Sequence, residues 1–247
     1  MVSKSLEHPV FKAVLLDKAD VFSLLGMELG RDDARKILIK VKECQAEGLL
    51  SANDGRAFEF SHSEETLRSS HHLSVLLQQA EGTPLGRAID NYSICLSRAV
   101  FVFKDGIVWE QSQYCNMKSG VPGTSTHNTV IRRLINRRAG GTGLCLSSAD
   151  DCLERRSPGM LAEYLKLGYV IKSFDDDTTQ NFECCSHRWE QGKEPVALNV
   201  AKSFYKLAHN FSQEALQAFE ALHGRDERAM AALGVMLSCP AGESETN

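Results

Sequence analysis

The sequence predicts an α+β fold in which short antiparallel hairpins occupy the middle of the chain and helices occupy both ends. Three observations carry this. Ala99 to Phe103 and Ile107 to Trp109 are β-rich runs flanking Lys104-Asp105-Gly106, and an Asp-Gly pair between such runs marks a hairpin. Leu144 to Leu153 places apolar flanks around Ala149-Asp150-Asp151, which predicts a second hairpin with acids at its turn. Helical periodicity dominates before and after this central part.

Taken in order, Asp32 to Leu49 reads as a helix with Ala34, Ile37, Val41 and Cys44 on one stripe. A short segment, Leu50 to Phe60, is broken by Asn53-Asp54-Gly55. Ser61-His62-Ser63-Glu64 has the form of a capping box opening a helix to about Ala80, closed by Gly82 and Pro84. After the first hairpin, Ser119-Gly120-Val121-Pro122-Gly123 reads as a loop before a helix from Thr124 to about Arg138, stopped by Gly140-Gly141. Ser157-Pro158 starts a further helix that closes at Gly168. Tyr169 to Ser173 follows as a strand, with Phe182 to Arg188 as another. Three helical segments then run from Leu198 to His209, Ser212 to Leu222 and Ala229 to Leu237, before a polar tail from Pro240 that reads as disordered.

Composition bounds the function. The 247 residues are 43% hydrophobic and 24% charged with a net charge of −4, so any RNA-binding surface must be a local concentration of positive charge. No apolar run approaches the roughly 20 residues of a membrane span, and Met1 to Pro9 lacks the apolar core of a signal peptide. The eight cysteines include no C-x-x-C pair, which fits reduced thiols better than zinc ligation or disulfides.

Nucleotidyl transfer needs charge neutralisation, and magnesium takes oxygen ligands, so carboxylates must reach one point from different strands. Asp54 and the Asp150-Asp151 pair offer such a set. Ser119-Gly120-x-x-x-Thr124-x-x-x-Asn128 places a glycine loop before a helix whose Thr124 and Asn128 share a face, an arrangement suited to reading a ribose.

The run Met117 to Asn128 resembles motif B of the RNA-dependent RNA polymerases of positive-strand RNA viruses, nearest in flavour to the sobemovirus and barnavirus branch. Ser148 to Glu154 resembles motif C, Leu167 to Lys172 motif D, Phe182 to His187 motif E, and Asp54 to Ser61 motif A, in the family's order. The resemblance implies a polymerase palm, with an antiparallel sheet packed on helices, over residues 49–190. Residues 1–48 would be partial fingers, 191–239 a helical thumb-like segment and 240–247 a tail. It further implies that Asp54 and Asp150 hold two magnesium ions (manganese as a substitute), with Asp151 assisting. Glu59 and Asn128 would sense the 2′-hydroxyl, with Ser119, Gly120 and Thr124 completing the nucleotide site. Lys172 would act as general acid toward pyrophosphate if its pKa were lowered. Cys185 and Ser186 would lie in the hairpin that supports the primer end. The implied partners are template and primer RNA, ribonucleoside triphosphates and the rest of a viral replicase, in the host cytoplasm.

Three positions depart from the family pattern: Ala149 replaces the usual glycine, Glu59 the commoner aspartate, and Asn53 precedes Asp54 where a stronger strand former is usual. No basic cluster before Asp54 resembles the motif that channels nucleoside triphosphates, so the chain reads as a piece of a larger replicase. A catalytically impaired remnant that binds RNA or assembles with partners is the alternative. Arg132-Arg133 and Arg137-Arg138 are read either as helix C-terminal charge or as phosphate contacts, with Arg132 and Arg133 kept as RNA-binding candidates. Cys184, Cys185 and His187 read as structural, His71-His72 as surface, and Asp175-Asp176-Asp177 as a solvated loop.

Overall fold

A computed structural model describes residues 32–98, 100–112, 115–118, 123–175, 181–190, 193, 195–224 and 226–238. The loop carrying Ser119 and Gly120, residues 176 and 177 of the acidic run, and the tail from Pro240 lie outside the described residues.

Helix α1 (Asp32–Ala46) leads into β1 (Leu50–Gly55), and a single 3-10 turn follows at Phe58–Phe60. The strand continues through Asn53 and Asp54, which the sequence reading takes as a break. Its reason is burial on both faces: Leu50 and Ala52 pack toward α1, and Ser51 and Asn53 are also buried. Helix α2 (Glu64–Leu77) is capped by Ser63 and Thr66, each side chain accepting the other's backbone N–H, rather than by Ser61 and Glu64.

Helix α3 (Pro84–Ser97) is absent from the sequence reading, which treats Pro84 as a stop. Thr83 caps it and Pro84 occupies its first turn, where the missing N–H costs nothing. Strands β2 (Val100–Val102) and β3 (Val108–Glu110) form the first expected hairpin, a two-stranded ribbon. It stands out from the body, with Val102 72% and Trp109 63% exposed.

Helix α4 (Thr124–Arg138) and the hairpin of β4 (Cys145–Ser148) and β5 (Asp151–Arg155) match expectation. Helix α5 (Met160–Lys166) is shorter than expected because Gly159, in a left-handed conformation, caps it after the Ser-Pro turn. Strand β6 is Ile171–Asp175, two residues later than expected. The single strand expected over Phe182 to Arg188 is a hairpin, β7 (Asn181–Cys184) and β8 (His187–Glu190), turning at Cys185-Ser186. A short β9 (Val196–Ala197) joins it. Helices α6 (Val200–His209), α7 (Gln213–His223) and α8 (Glu227–Ser238) form their own apolar cluster around Leu207, Phe219 and Leu233.

The central sheet has the order β4-β5-β1-β6 and is antiparallel throughout. One face packs against α1 and the β7–β8 hairpin through Leu38, Val41, Leu153, Phe182 and Trp189. The other core joins α4, α5 and the 3-10 turn through Ile131, Ile135, Tyr164, Phe58 and Tyr169. The result is α+β, an antiparallel sheet between helical layers.

Candidate active site

Strand alternation and register bring the acids together. Asp54, near the end of β1, lies opposite Asp151 at the start of β5, and Asp150 sits at the adjoining β4–β5 turn. All three carboxylates are half-buried. Burial and the Asp54 charge raise the pKa of Asp150, and the same two causes, with Asp150 added, push Asp151 up to about 6. Clustered negative charge in a partly desolvated place calls for a cation. Lys172 on β6 supplies one, its ammonium paired with Asp54 Oδ2, while Asp54 Oδ1 is buried without a hydrogen-bond partner among the described residues. An unpartnered carboxylate oxygen and two raised neighbours fit a site for hard divalent cations, which take oxygen ligands. Asp54, Asp150 and Asp151 are the residues to hold them.

This ion pair holds Lys172 beside the acids, and its hydrogen bond to Asp54 raises its pKa. Beside the acids runs a cleft of about 750 Å³, lined among others by Asn181, Cys185, Ser186, Arg188 and Asn199. Cys185 and Ser186 therefore do border the acid site. Both have positive φ (54° and 59°), the two-residue primed turn that strand twist favours, made here without glycine.

The motif B residues are engaged internally. Thr124 donates its hydroxyl to the Lys118 carbonyl at 2.7 Å. Asn128 is 2% exposed, and its Oδ1 lies 3.0 Å from His62 Nε2. Burial drives the His62 pKa down to about 4, so the ring is neutral at pH 7. His62 Nδ1 lies 3.3 Å from the Tyr169 hydroxyl, so this histidine links the helix of motif B to the segment that starts motif D. Glu59 is half-buried in the 3-10 turn, where its carbonyl accepts the Met117 N–H at 2.9 Å.

Arg132 and Arg133 require correction as RNA contacts. Arg132 is 0% exposed: its guanidinium donates to Asn53 Oδ1, pairs with Glu154 at 3.5 Å and lies 4.7 Å from the Tyr164 ring centroid. Glu154 is further held at 2.6 Å by each of Asn53, Asn136 and Tyr164. Arg133 is buried as well and reaches the carbonyls of Gly143 and Cys145. A guanidinium enclosed this way has no face for a phosphate. His71, read as surface, is buried against His127 with ring centroids 4.3 Å apart.

Sequence reasoning missed the roles of Asn53, Glu154 and Thr129 beside the acid-bearing segments and of His62 beside Asn128. Thr129 accepts the Ala149 N–H at 2.9 Å through its hydroxyl, and its carbonyl accepts the Ser147 hydroxyl at 3.0 Å. A Thr beside Asn128 carries no distinctive pattern, whereas a glutamate and an asparagine at core positions of neighbouring strands are a readable anomaly. Cys145, Cys152 and Glu154 also bring donor atoms within 4.8 Å of one another, all buried. The Arg132 cation already neutralises that cluster, and soft thiol donors do not suit magnesium.

No protein-family model matches the chain. Its sequence is 29% identical over 194 residues to the replicase polyprotein P2AB of Southern bean mosaic virus, covering 76% of this chain and 20% of that protein. It is 29% identical to the P1-P2 protein of Potato leafroll virus over 120 residues, 49% of this chain and 11% of that one. With Turnip yellows virus P1-P2 it shares 30% over 118 residues, 48% of this chain and 11% of the relative. The chain thus spans about a fifth or less of these relatives. Among solved structures, the RNA-dependent RNA polymerase of a human picobirnavirus, as an insertion-loop deletion mutant, superposes with a TM-score of 0.61 at 11% identity, covering 91% of this chain and 51% of that one. The same enzyme without the deletion gives 0.59 at 13% identity, over 80% and 40%. In sequence the chain is related to the replicase polyprotein of Southern bean mosaic virus and to P1-P2 proteins of other viruses, and its fold is that of part of a viral RNA-dependent RNA polymerase.

Proposed function

We propose that the chain carries the palm of a viral RNA-dependent RNA polymerase and joins ribonucleoside triphosphates on an RNA template with release of pyrophosphate. The observation that carries this is the convergence of Asp54, Asp150 and Asp151 from two strands and a turn. When bound, a pair of divalent cations, magnesium or manganese, supplies charge neutralisation at the attacking and leaving oxygens. Asp54 and Asp150 hold that pair, with Asp151 beside them. Ser119 and Gly120 approach the incoming nucleotide, and Glu59 and Asn128 bear on its ribose, Asn128 after exchange of its His62 contact. Cys185 and Ser186 border the cleft in which the primer end lies. Lys172, paired with Asp54 while no cation is bound, is released to the triphosphate when the cations take Asp54, where its ammonium protonates the leaving pyrophosphate.

Residues 49–190 make the palm, 1–48 part of the fingers and 191–239 a thumb-like segment, within a larger replicase acting in the host cytoplasm. The test is manganese- or magnesium-dependent incorporation of ribonucleotides on a primed RNA template. Wild-type incorporation that Asp150→Asn reduces by about 10²–10³-fold is the expected result, in line with losing a transition-state electrostatic contact. Incorporation that Asp150→Asn leaves intact overturns the assignment.

A further inference from the structure

Helix α4 touches both acid-bearing segments, and does so through one face. Thr129 and Arg132 stand three positions apart, so they are neighbours on the helix surface. Thr129 Oγ1 accepts the backbone N–H of Ala149, the residue immediately before Asp150. Arg132 donates to the side chain of Asn53, the residue immediately before Asp54. Each grip is anchored. The Thr129 hydroxyl donates to the Ser125 carbonyl at 2.7 Å, which fixes its lone pairs, and the Thr129 carbonyl takes the hydroxyl of Ser147 on β4, the strand that leads into the same turn. Asn53 also donates to Glu154 on β5, so the Arg132 grip ties β1 to the strand that follows the acid turn. Thr129 and Arg132 are both buried, so water does not compete for these bonds.

We infer that Thr129 and Arg132 form a two-point clamp by which helix α4 sets the separation of the Asp54 and Asp150 carboxylates, and so the affinity of the site for a divalent cation pair. This rests on the two-cation reading above. The physical need is plain. Three carboxylates at one place repel one another, and the β4–β5 turn that carries Asp150 is a two-residue turn with Ala149 at φ 55°, a conformation an alanine resists. Left to itself the turn would relax by moving Asp150 away from Asp54. A hydrogen bond to the Ala149 N–H holds it, and the bond comes from the helix that holds Asn53. Thr129 and Arg132 are positioning residues: neither reaches the cations.

The experiment is a manganese titration of the full chain, read by the electron paramagnetic resonance of free Mn²⁺, with wild type, Asp54→Asn, Thr129→Val and Thr129→Ser. Thr129→Val is nearly isosteric and removes the acceptor; Thr129→Ser keeps it. Amide exchange at Ala149 is followed in parallel. The clamp predicts that Thr129→Val weakens Mn²⁺ about tenfold, the scale of losing an outer partner of a metal ligand. It predicts faster Ala149 exchange in the same variant and restoration of both by Thr129→Ser. Wild-type binding that Asp54→Asn abolishes and Thr129→Val leaves unchanged overturns the clamp while leaving the cation site standing. Absence of any Asp54-dependent binding in the wild type overturns the cation reading and the clamp with it. Should Thr129→Val not fold, Thr129→Ser beside Thr129→Ala, compared at equal folded fraction, decides on the same readouts.

Discussion

Ala149 illustrates what a single residue contributes here. It occupies the left-handed region at φ 55° in the turn that carries Asp150, where a Cβ costs about 1–2 kcal/mol. Glycine removes that cost but loses more chain entropy on folding, roughly 0.5–1 kcal/mol. Ala149→Gly is therefore expected to raise stability by at most about 1.5 kcal/mol, seen as a small upward shift in a urea midpoint, with the Thr129 contact to its N–H retained. His62 acts at the same scale through its charge. Its folded pKa, about 4, lies below the ordinary 6.5, so the unfolded chain binds the proton more readily between those values. Stability from His62 is complete above pH 6.5 and is lost as the pH falls toward 4, by about 3 kcal/mol at 1.36 kcal/mol per pH unit. Unfolding free energies from pH 7 to 4 are expected to fall less steeply in His62→Gln than in wild type. Asn128 and Asp150 were legible as site candidates because hydroxyl, amide and acid types at those spacings suit nucleotide chemistry. His62 and Thr129 were not, since their roles exist only once α2, α4 and the acid turn pack together.

At the scale of elements, the helix-to-sheet join depends on a buried charge pair. Glu154 on β5 meets Arg132, Asn53, Asn136 and Tyr164 inside the protein, all 0–4% exposed. Removing one partner of such a pair strands the other, at a cost of about 3–5 kcal/mol, whereas replacing both with apolar side chains is often neutral. Glu154→Leu alone is expected to lower the unfolding free energy by that amount, and Glu154→Leu with Arg132→Met to recover most of it, measured by denaturant unfolding. The elements that sequence reasoning identified were those with local signals: the Asp-Gly ribbon, α4 after its glycine, and the hairpin with acids at its turn. Helix α3 went unseen because Pro84 was taken as a terminator when the Thr83-Pro84 pair is a helix start. The local pattern over Phe182 to Arg188 reads as one strand because the turn uses Cys185-Ser186 in place of Asn-Gly, and only the resemblance to motif E puts those two residues in a hairpin. Arg132 and Arg133 looked like an RNA surface for a related reason. Basic residues late in a helix are usually solvated, and nothing local says that this face turns inward onto β4 and β5.

Over the whole molecule, sequence order is not sheet order: β1 with Asp54 lies between β5, which starts at Asp151, and β6 with Lys172, and the β7–β8 hairpin lines the cleft beside the acids. The specific motif B run, with the acid pair at its spacing beyond it, made the fold readable, and the reading agrees with a relative that is a viral replicase polyprotein and with a viral polymerase fold. The chain spans 20% of the Southern bean mosaic virus protein, and the β2–β3 ribbon exposes apolar side chains on both strands. A longer replicase chain containing this one is accordingly expected to incorporate ribonucleotides faster than this chain alone at equal template concentration. The central claim is that Asp54 and Asp150 share a pair of divalent cations. It is tested most directly by anomalous diffraction from crystals grown with Mn²⁺. Two manganese peaks about 3.5–4 Å apart between the Asp54 and Asp150 carboxylates are the predicted result, with the Lys172 ammonium displaced from Asp54 Oδ2. Manganese at other sites only, with Lys172 still paired to Asp54 at saturating Mn²⁺, would contradict it.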